Sequence, residues 1–211
     1  MSDSRLEYKT VMQAGESFFT DKKSKFIGNA APVKTETEAI AFINEIKKKY
    51  ADATHNVYAY VVSENNMQRY TDDGEPSGTA GMPVLDCIRR PGLTDTAVVV
   101  TRYFGGTLLG TGGLVHAYGK CAAAAIADAC PVIRRLCGIY SVKCDYTLSG
   151  KVQYFLADYT VEDSVYTDKV EFTVCVKQGE DEKFTDGIVQ LTGNRAIIKK
   201  TGERYIDIQE G

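Results

Sequence analysis

The chain has 211 residues, 44% of them hydrophobic and 25% charged, which suits one large domain or two small ones at about 100–150 residues each and excludes wholesale disorder. Its 25 basic and 28 acidic side chains give a formal charge of −3, against a surface coated in Lys and Arg for non-specific nucleic-acid binding, while a local basic patch stays open. Met1–Tyr8 contains no apolar h-region, and no run approaches the ~20 apolar residues of a membrane helix, so the sequence is expected to be soluble, cytoplasmic and without membrane contact.

Strand-like runs come first, at Glu16–Thr20 and Lys25–Ala31. Thr35 and Glu38 then form a capping box, after which Ile40, Ile43, Lys47 and Tyr50 trace one side of a helix. Further strands are predicted at Asn56–Val62 and Thr96–Thr101; the run from Thr96 to Val100 is continuously apolar, as in a strand covered on both faces. Helices are predicted over Thr79–Arg90 and Thr111–Cys130. Pro131 and the Arg134-Arg135 pair precede a new strand, which places a candidate domain boundary at Val132–Gly138 without a low-complexity linker. The two halves, 1–135 and 136–211, differ in charge: 16 basic against 15 acidic in the first, 9 against 13 in the second.

In the second half, Tyr140, Val142, Cys144 and Tyr146 alternate as on one face of a strand. Ser149 is expected to cap a helix carrying Val152, Phe155, Leu156 and Tyr159. Strands at Thr160–Tyr166 and Val170–Lys177 follow, joined by a turn at Thr167-Asp168-Lys169. Glu180, Asp181 and Glu182 load the first turn of a helix with negative charge. Phe184, Ile188 and Leu191 form its buried face, and Gly193 ends it. Ala196–Ile198 and Tyr205–Ile208 are read as two last strands around Thr201-Gly202. The order is βαββαβ, a split-βαβ, ferredoxin-like arrangement over 136–211.

The six cysteines contain no C-x-x-C, and only His55 and His116 are there to complete a metal site, so they read as free thiols in a reducing compartment. More telling are the glycines: ten of the 19 fall between Gly74 and Gly119. Two loops hold most of them, Thr71–Gly81 and Arg102–Gly113, and each leads into a predicted helix. A Gly-rich loop entering a helix collects unpaired amides and partial positive charge. The functional reading is therefore anion or nucleic-acid binding by Thr111, Gly112 and Gly113 with Gly105 and Gly106, assisted by Arg102 and Lys120, with Tyr103 stacking on a base. The structural reading is that the glycines serve tight turns and close packing. Neither loop matches G-x-x-x-x-G-K-[ST] or a Rossmann unit, so no cofactor is expected. His116 and Lys120 lie four apart and share one helix edge. Asp72, Asp73 and Glu75 form an acidic cluster that His55 is placed to join. Such carboxylates either bind Mg²⁺ or act as acid and base, or they simply shape a turn.

The segments Ala97–Gly119 and Tyr70–Gly81, with Lys23–Gly28 and Asp52–Asn56, resemble the signature blocks of the YigZ/IMPACT family. The resemblance implies an α+β first domain with the fold of a ribosomal protein's second domain, as in domain IV of elongation factor G. It further implies a ferredoxin-like second domain, the pair mimicking domains IV and V of that factor. It also implies a translation-linked regulator or binding protein that contacts RNA, the ribosome or a translation-related protein partner; the glycine loops make the Gly-rich face the expected contact, and neither metal nor cofactor is expected. The alternative is a Mg²⁺-dependent enzyme on a phosphorylated metabolite or nucleotide, with Thr111–Gly113 holding phosphate, Asp72, Asp73 and Glu75 holding the metal, and His55 moving a proton. A binding protein is favoured over an enzyme.

Overall fold

The computed structural model describes residues 5–209; residues 1–4 of the segment read as lacking a leader lie outside the described residues. The first nine elements are β1 (Glu7–Val11), β2 (Gly15–Asp21), β3 (Ser24–Pro32), α1 (Glu36–Lys49), β4 (His55–Val62), β5 (Met67–Thr71), α2 (Gly81–Arg89), β6 (Thr96–Tyr103) and α3 (Thr111–Asp128). Then come β7 (Pro131–Cys144), α4 (Tyr146–Phe155), β8 (Thr160–Tyr166), β9 (Val170–Lys177), α5 (Asp181–Thr192) and β10 (Ile197–Gln209). The protein is thus mixed α+β with two sheets. It divides into two compact units, one built from residues 8–133 and the other chiefly from 134–208. The chain passes from one to the other within β7.

In the unit of residues 8–133, an antiparallel sheet has the order β2-β3-β6-β4-β5. Central β6 is buried along nearly its whole length because both of its faces are covered. On one face Phe26, Val57, Val98 and Val100 pack with Leu85 and Ile88 of α2 and Tyr118, Cys121 and Ala125 of α3. On the other, Ala97, Val99 and Tyr60 pack with Ala39, Ile43 and Ile46 of α1. The capping box of α1 forms with a shift: the Glu38 amide donates to Thr35 Oγ1 at 3.2 Å, while the Glu38 carboxylate accepts from the Lys34 amide at 2.6 Å.

The other unit has the order β-α-β-β-α-β, with β7 between β10 and β9 and β8 at the far edge; β1 also pairs with β7. Val142, Phe172 and Val174 pack with Leu148 and Val152 of α4 and Phe184 and Ile188 of α5. Gly193 closes α5 at φ 58°.

Three readings of this half are corrected. The first strand ends at Cys144, and the helix starts at Tyr146 behind Asp145, whose backbone is extended. Ser149 lies inside that helix, its hydroxyl donating to the Tyr146 carbonyl at 2.8 Å. The last two strands are one, because Gly202 does not take a positive φ and no turn interrupts Ile197–Gln209. Sequence reasoning also missed β1 and β5, which are short. β5 has no buried face to produce a regular alternation. All six cysteines are free. Among the described residues no helix is long and apolar enough to cross a membrane.

Candidate functional site

Arg102 stands in β6 directly opposite Phe26 of β3 and His55 of β4, and therefore faces α2 and α3. It is only 4% exposed, and so is expensive to bury unless its charge is met. Glu75, 9% exposed in the loop before α2, meets it: Arg102 Nη1 donates to Glu75 Oε1 at 2.6 Å. The Tyr118 hydroxyl of α3 donates to the same oxygen at 2.7 Å. Burial pushes that phenol far above its ordinary pKa, and the bond to Glu75 adds to the rise. Arg102 Nη2 donates to Ser24 Oγ at 3.2 Å, which also accepts the Gly105 amide at 3.2 Å. The guanidinium carbon lies 5.5 Å from the Phe26 ring centroid and 5.4 Å from that of Phe104. Its Nε is buried without a protein partner.

Expected at a surface phosphate, Arg102 is instead the internal clasp between the two Gly-rich segments. Strand register decides this, since position 102 points into the layer between sheet and helices.

The acidic cluster disperses in the same way. Asp72 accepts the amides of Gly78, Ala80 and Gly81 at 2.9, 3.1 and 2.8 Å, which ties the loop to the start of α2. Burial raises its pKa, but the three amide bonds outweigh this and hold the carboxyl below its ordinary range. Asp73 accepts the Asn56 amide at 2.6 Å and lies 3.6 Å from Lys47 Nζ. His55 Nδ1 donates to the Asp73 carbonyl at 2.7 Å, so that nitrogen carries a proton, and Nε2 faces Glu75 Oε1 at 3.8 Å. Asp72, Asp73 and Glu75 thus address three separate sets of protein donors. Among the described residues no group of three or more His, Cys, Asp or Glu is placed to hold a metal ion.

Outside this clasp lies an exposed rim. Gly105 is demanded by close approach: a Cβ there would sit 2.1 Å from the Lys23 carbonyl carbon. Gly106 and Gly110 take φ of +80° and +76°. Thr111 and Gly112 are exposed and Gly113 half-buried, and no side chain caps α3 at Gly110. Phe104 is 45% and Leu108 82% exposed. Tyr103 donates its hydroxyl to Asp52 at 2.7 Å. Lys120 is exposed on α3, its ammonium 4.2 Å over the Phe19 ring. It shares with His116 a groove of about 530 Å³ between α2 and α3, as the four-residue spacing implies.

Sequence reasoning gave no individual role to Ser24, to Tyr118 or to the Lys22-Lys23 turn, which the structure brings to this place. This turn joins β2 to β3 with φ of 42° and 69°, against Gly105. Two residues between alternating runs were the available hairpin signal, obscured because lysines stand where Asn-Gly is usual.

The Impact N-terminal domain matches residues 22–126, and a domain of unknown function (DUF1949) matches residues 142–195. IMPACT family member YvyE of Bacillus subtilis is 41% identical over 203 residues, covering 95% of this chain and 94% of that protein. The chain belongs to the IMPACT family. IMPACT family member YigZ of Escherichia coli is 37% identical over 128 residues, 59% of this chain and 63% of its own length. A solved structure, described as the crystal structure of a hypothetical protein, superposes with a TM-score of 0.60 and 27% identity over 94% of this chain and 98% of its own. In this IMPACT-family chain the lysine turn, Glu75, Arg102 and Tyr118 all fall inside the Impact N-terminal match.

Proposed function

We propose that this IMPACT-family protein is a translation-linked binding protein that contacts RNA through the rim formed by the Lys22-Lys23 turn and the 105–113 loop. The observation that carries the reading is the turn itself. Two lysines hold a left-handed backbone that Asn or Gly adopts at lower cost, at an exposed tip packed against a glycine loop. Strained residues of this kind cluster where a side chain serves function, and an ammonium pair is suited to phosphate oxygens. Lys120 and the amides of Thr111, Gly112 and Gly113 extend the same surface, while Ser24 Oγ, accepting from both Arg102 and the Gly105 amide, holds its two loops together from beneath.

The strand order β10-β7-β9-β8 with α4 and α5 supports a ferredoxin-like second unit. That order is what supports the analogy of this unit to domain V of elongation factor G. A Mg²⁺-dependent enzyme is not favoured, because each carboxylate it would need is already engaged by protein donors.

The test is equilibrium binding of the full chain to tRNA, ribosomal RNA and ribosomes at low and rising salt. Lys22→Glu combined with Lys23→Glu should weaken binding at least tenfold and make the salt slope shallower by roughly one unit per lost phosphate contact. Failure of all three ligands to bind at low salt refutes the reading.

A further inference from the structure

We infer that the open sheet face beside this rim is a stacking groove for unpaired bases, so that the RNA is bound single-stranded; the inference rests on the RNA reading above. In the ladder Phe18 stands opposite Ile27, Thr20 opposite Lys25, and Lys25 opposite Tyr103, so these five side chains share one face of β2, β3 and β6. Helix α1 covers that face over β4 and β6. The β2–β3 side is left with a groove of about 380 Å³, within the size of small-ligand clefts. Phe18 is 72% exposed on an edge strand, where a large apolar side chain invites aggregation unless it has a partner.

The chemistry around the groove identifies the occupant. Lys25 is in its wall, the Lys22-Lys23 turn closes the β2–β3 end, and Lys120 lies over the Phe19 ring on the other face of β2. The nearby anions are largely spent. Asp52 accepts from the Tyr103 hydroxyl, which also orients that ring, and Glu16 accepts from Lys49 Nζ at 3.3 Å and the Tyr50 hydroxyl at 3.2 Å. Asp21 remains half-buried at the strand end. Aromatic surface edged by ammonium groups is complementary to a polymer in which flat bases alternate with phosphates. A duplex keeps its bases stacked on each other and offers only the phosphates.

The experiment uses the full chain with a labelled ten-nucleotide oligouridylate, a ten-base-pair RNA duplex and a decaglutamate peptide. The oligouridylate should bind at least tenfold more tightly than the duplex. Phe18→Ala should cut its affinity about tenfold, the scale of one lost base–aromatic stack, leaving duplex binding and the melting midpoint unchanged. Phe18→Trp should restore it. Loss of oligouridylate binding in the Lys22→Glu, Lys23→Glu protein but not in Phe18→Ala overturns the groove and leaves the RNA reading standing. Competition by decaglutamate as strong as by oligouridylate overturns base recognition. Failure of every RNA to bind overturns both.

Discussion

At Glu75 one carboxylate oxygen receives both a guanidinium N–H and a phenol O–H inside the layer between sheet and helices. Neither Arg102 nor Glu75 would tolerate that burial alone, so the pair is worth far more intact than its net contribution suggests. Glu75→Ala should therefore cost about 3–5 kcal/mol, because it leaves an uncompensated buried cation and an unpaired hydroxyl. Urea denaturation of the variant against the parent measures this directly, and a loss under 1 kcal/mol would show that water satisfies Arg102 in place of Glu75. Arg102 itself is a poor probe of ligand binding for the same reason. Sequence singled out Arg102 as an anion contact and Glu75 as part of an acidic cluster, and did not show that they bond to each other. Twenty-seven residues separate them, and only the β6 register turns Arg102 inward toward the loop before α2.

Helix α1 is started by its own Thr35, whereas helix α2 is started by a side chain that reaches from elsewhere in the chain. Helix α2 has no side-chain cap of its own at Ala80; Asp72 supplies it from eight or nine residues upstream. Because the folded-state pKa of Asp72 is lowered, its stabilisation is fully present above the unfolded carboxyl range near pH 4 and fades as pH falls through the lower folded value. Asp72→Ala should thus lose about 1 kcal/mol at pH 7, and the gap between variant and parent should close on acidification below that folded value. Denaturant midpoints taken stepwise from pH 7 to pH 2 test it; a gap that is constant with pH would refute the carboxylate's role. The same principle explains which elements were readable. The helix behind Thr35 announces its cap three residues ahead of Glu38. Helix α4 begins behind Asp145, which makes no side-chain cap, and Ser149, the residue that looked like a cap, serves the helix interior. Gly202 resembled a turn, but nothing in its local sequence distinguishes a turn glycine from one lying in a continuous strand.

At the scale of the molecule, the buried apolar clusters among the described residues number two in the unit of residues 8–133 and one in the other. Cys121 and Cys144 lie within these clusters; Cys137 and Cys175 are buried outside them, while Cys87 and Cys130 are half-buried. Burial pushes the Cys121 thiol up to about 11 and, with the Glu162 carboxylate beside it, the Cys175 thiol up to about 12. Thiolate is the reactive form. Treatment of the native protein with a thiol reagent at pH 8 should therefore modify at most Cys87 and Cys130 rapidly, the other four reacting only on unfolding. Rapid modification of all six would show that the cores open readily.

Apart from β1 and β5, the order of strands and helices, the buried β6 and the two-part α+β character follow from sequence, because hydrophobic periodicity and turn residues act over distances of a few positions. Tertiary structure alone decided which loop residues turn inward and which form a surface. It moved Arg102 from presumed ligand contact to internal clasp, and brought the lysine turn against Gly105. Those placements depend on strand register and on packing between residues dozens of positions apart, and local periodicity carries no information about either.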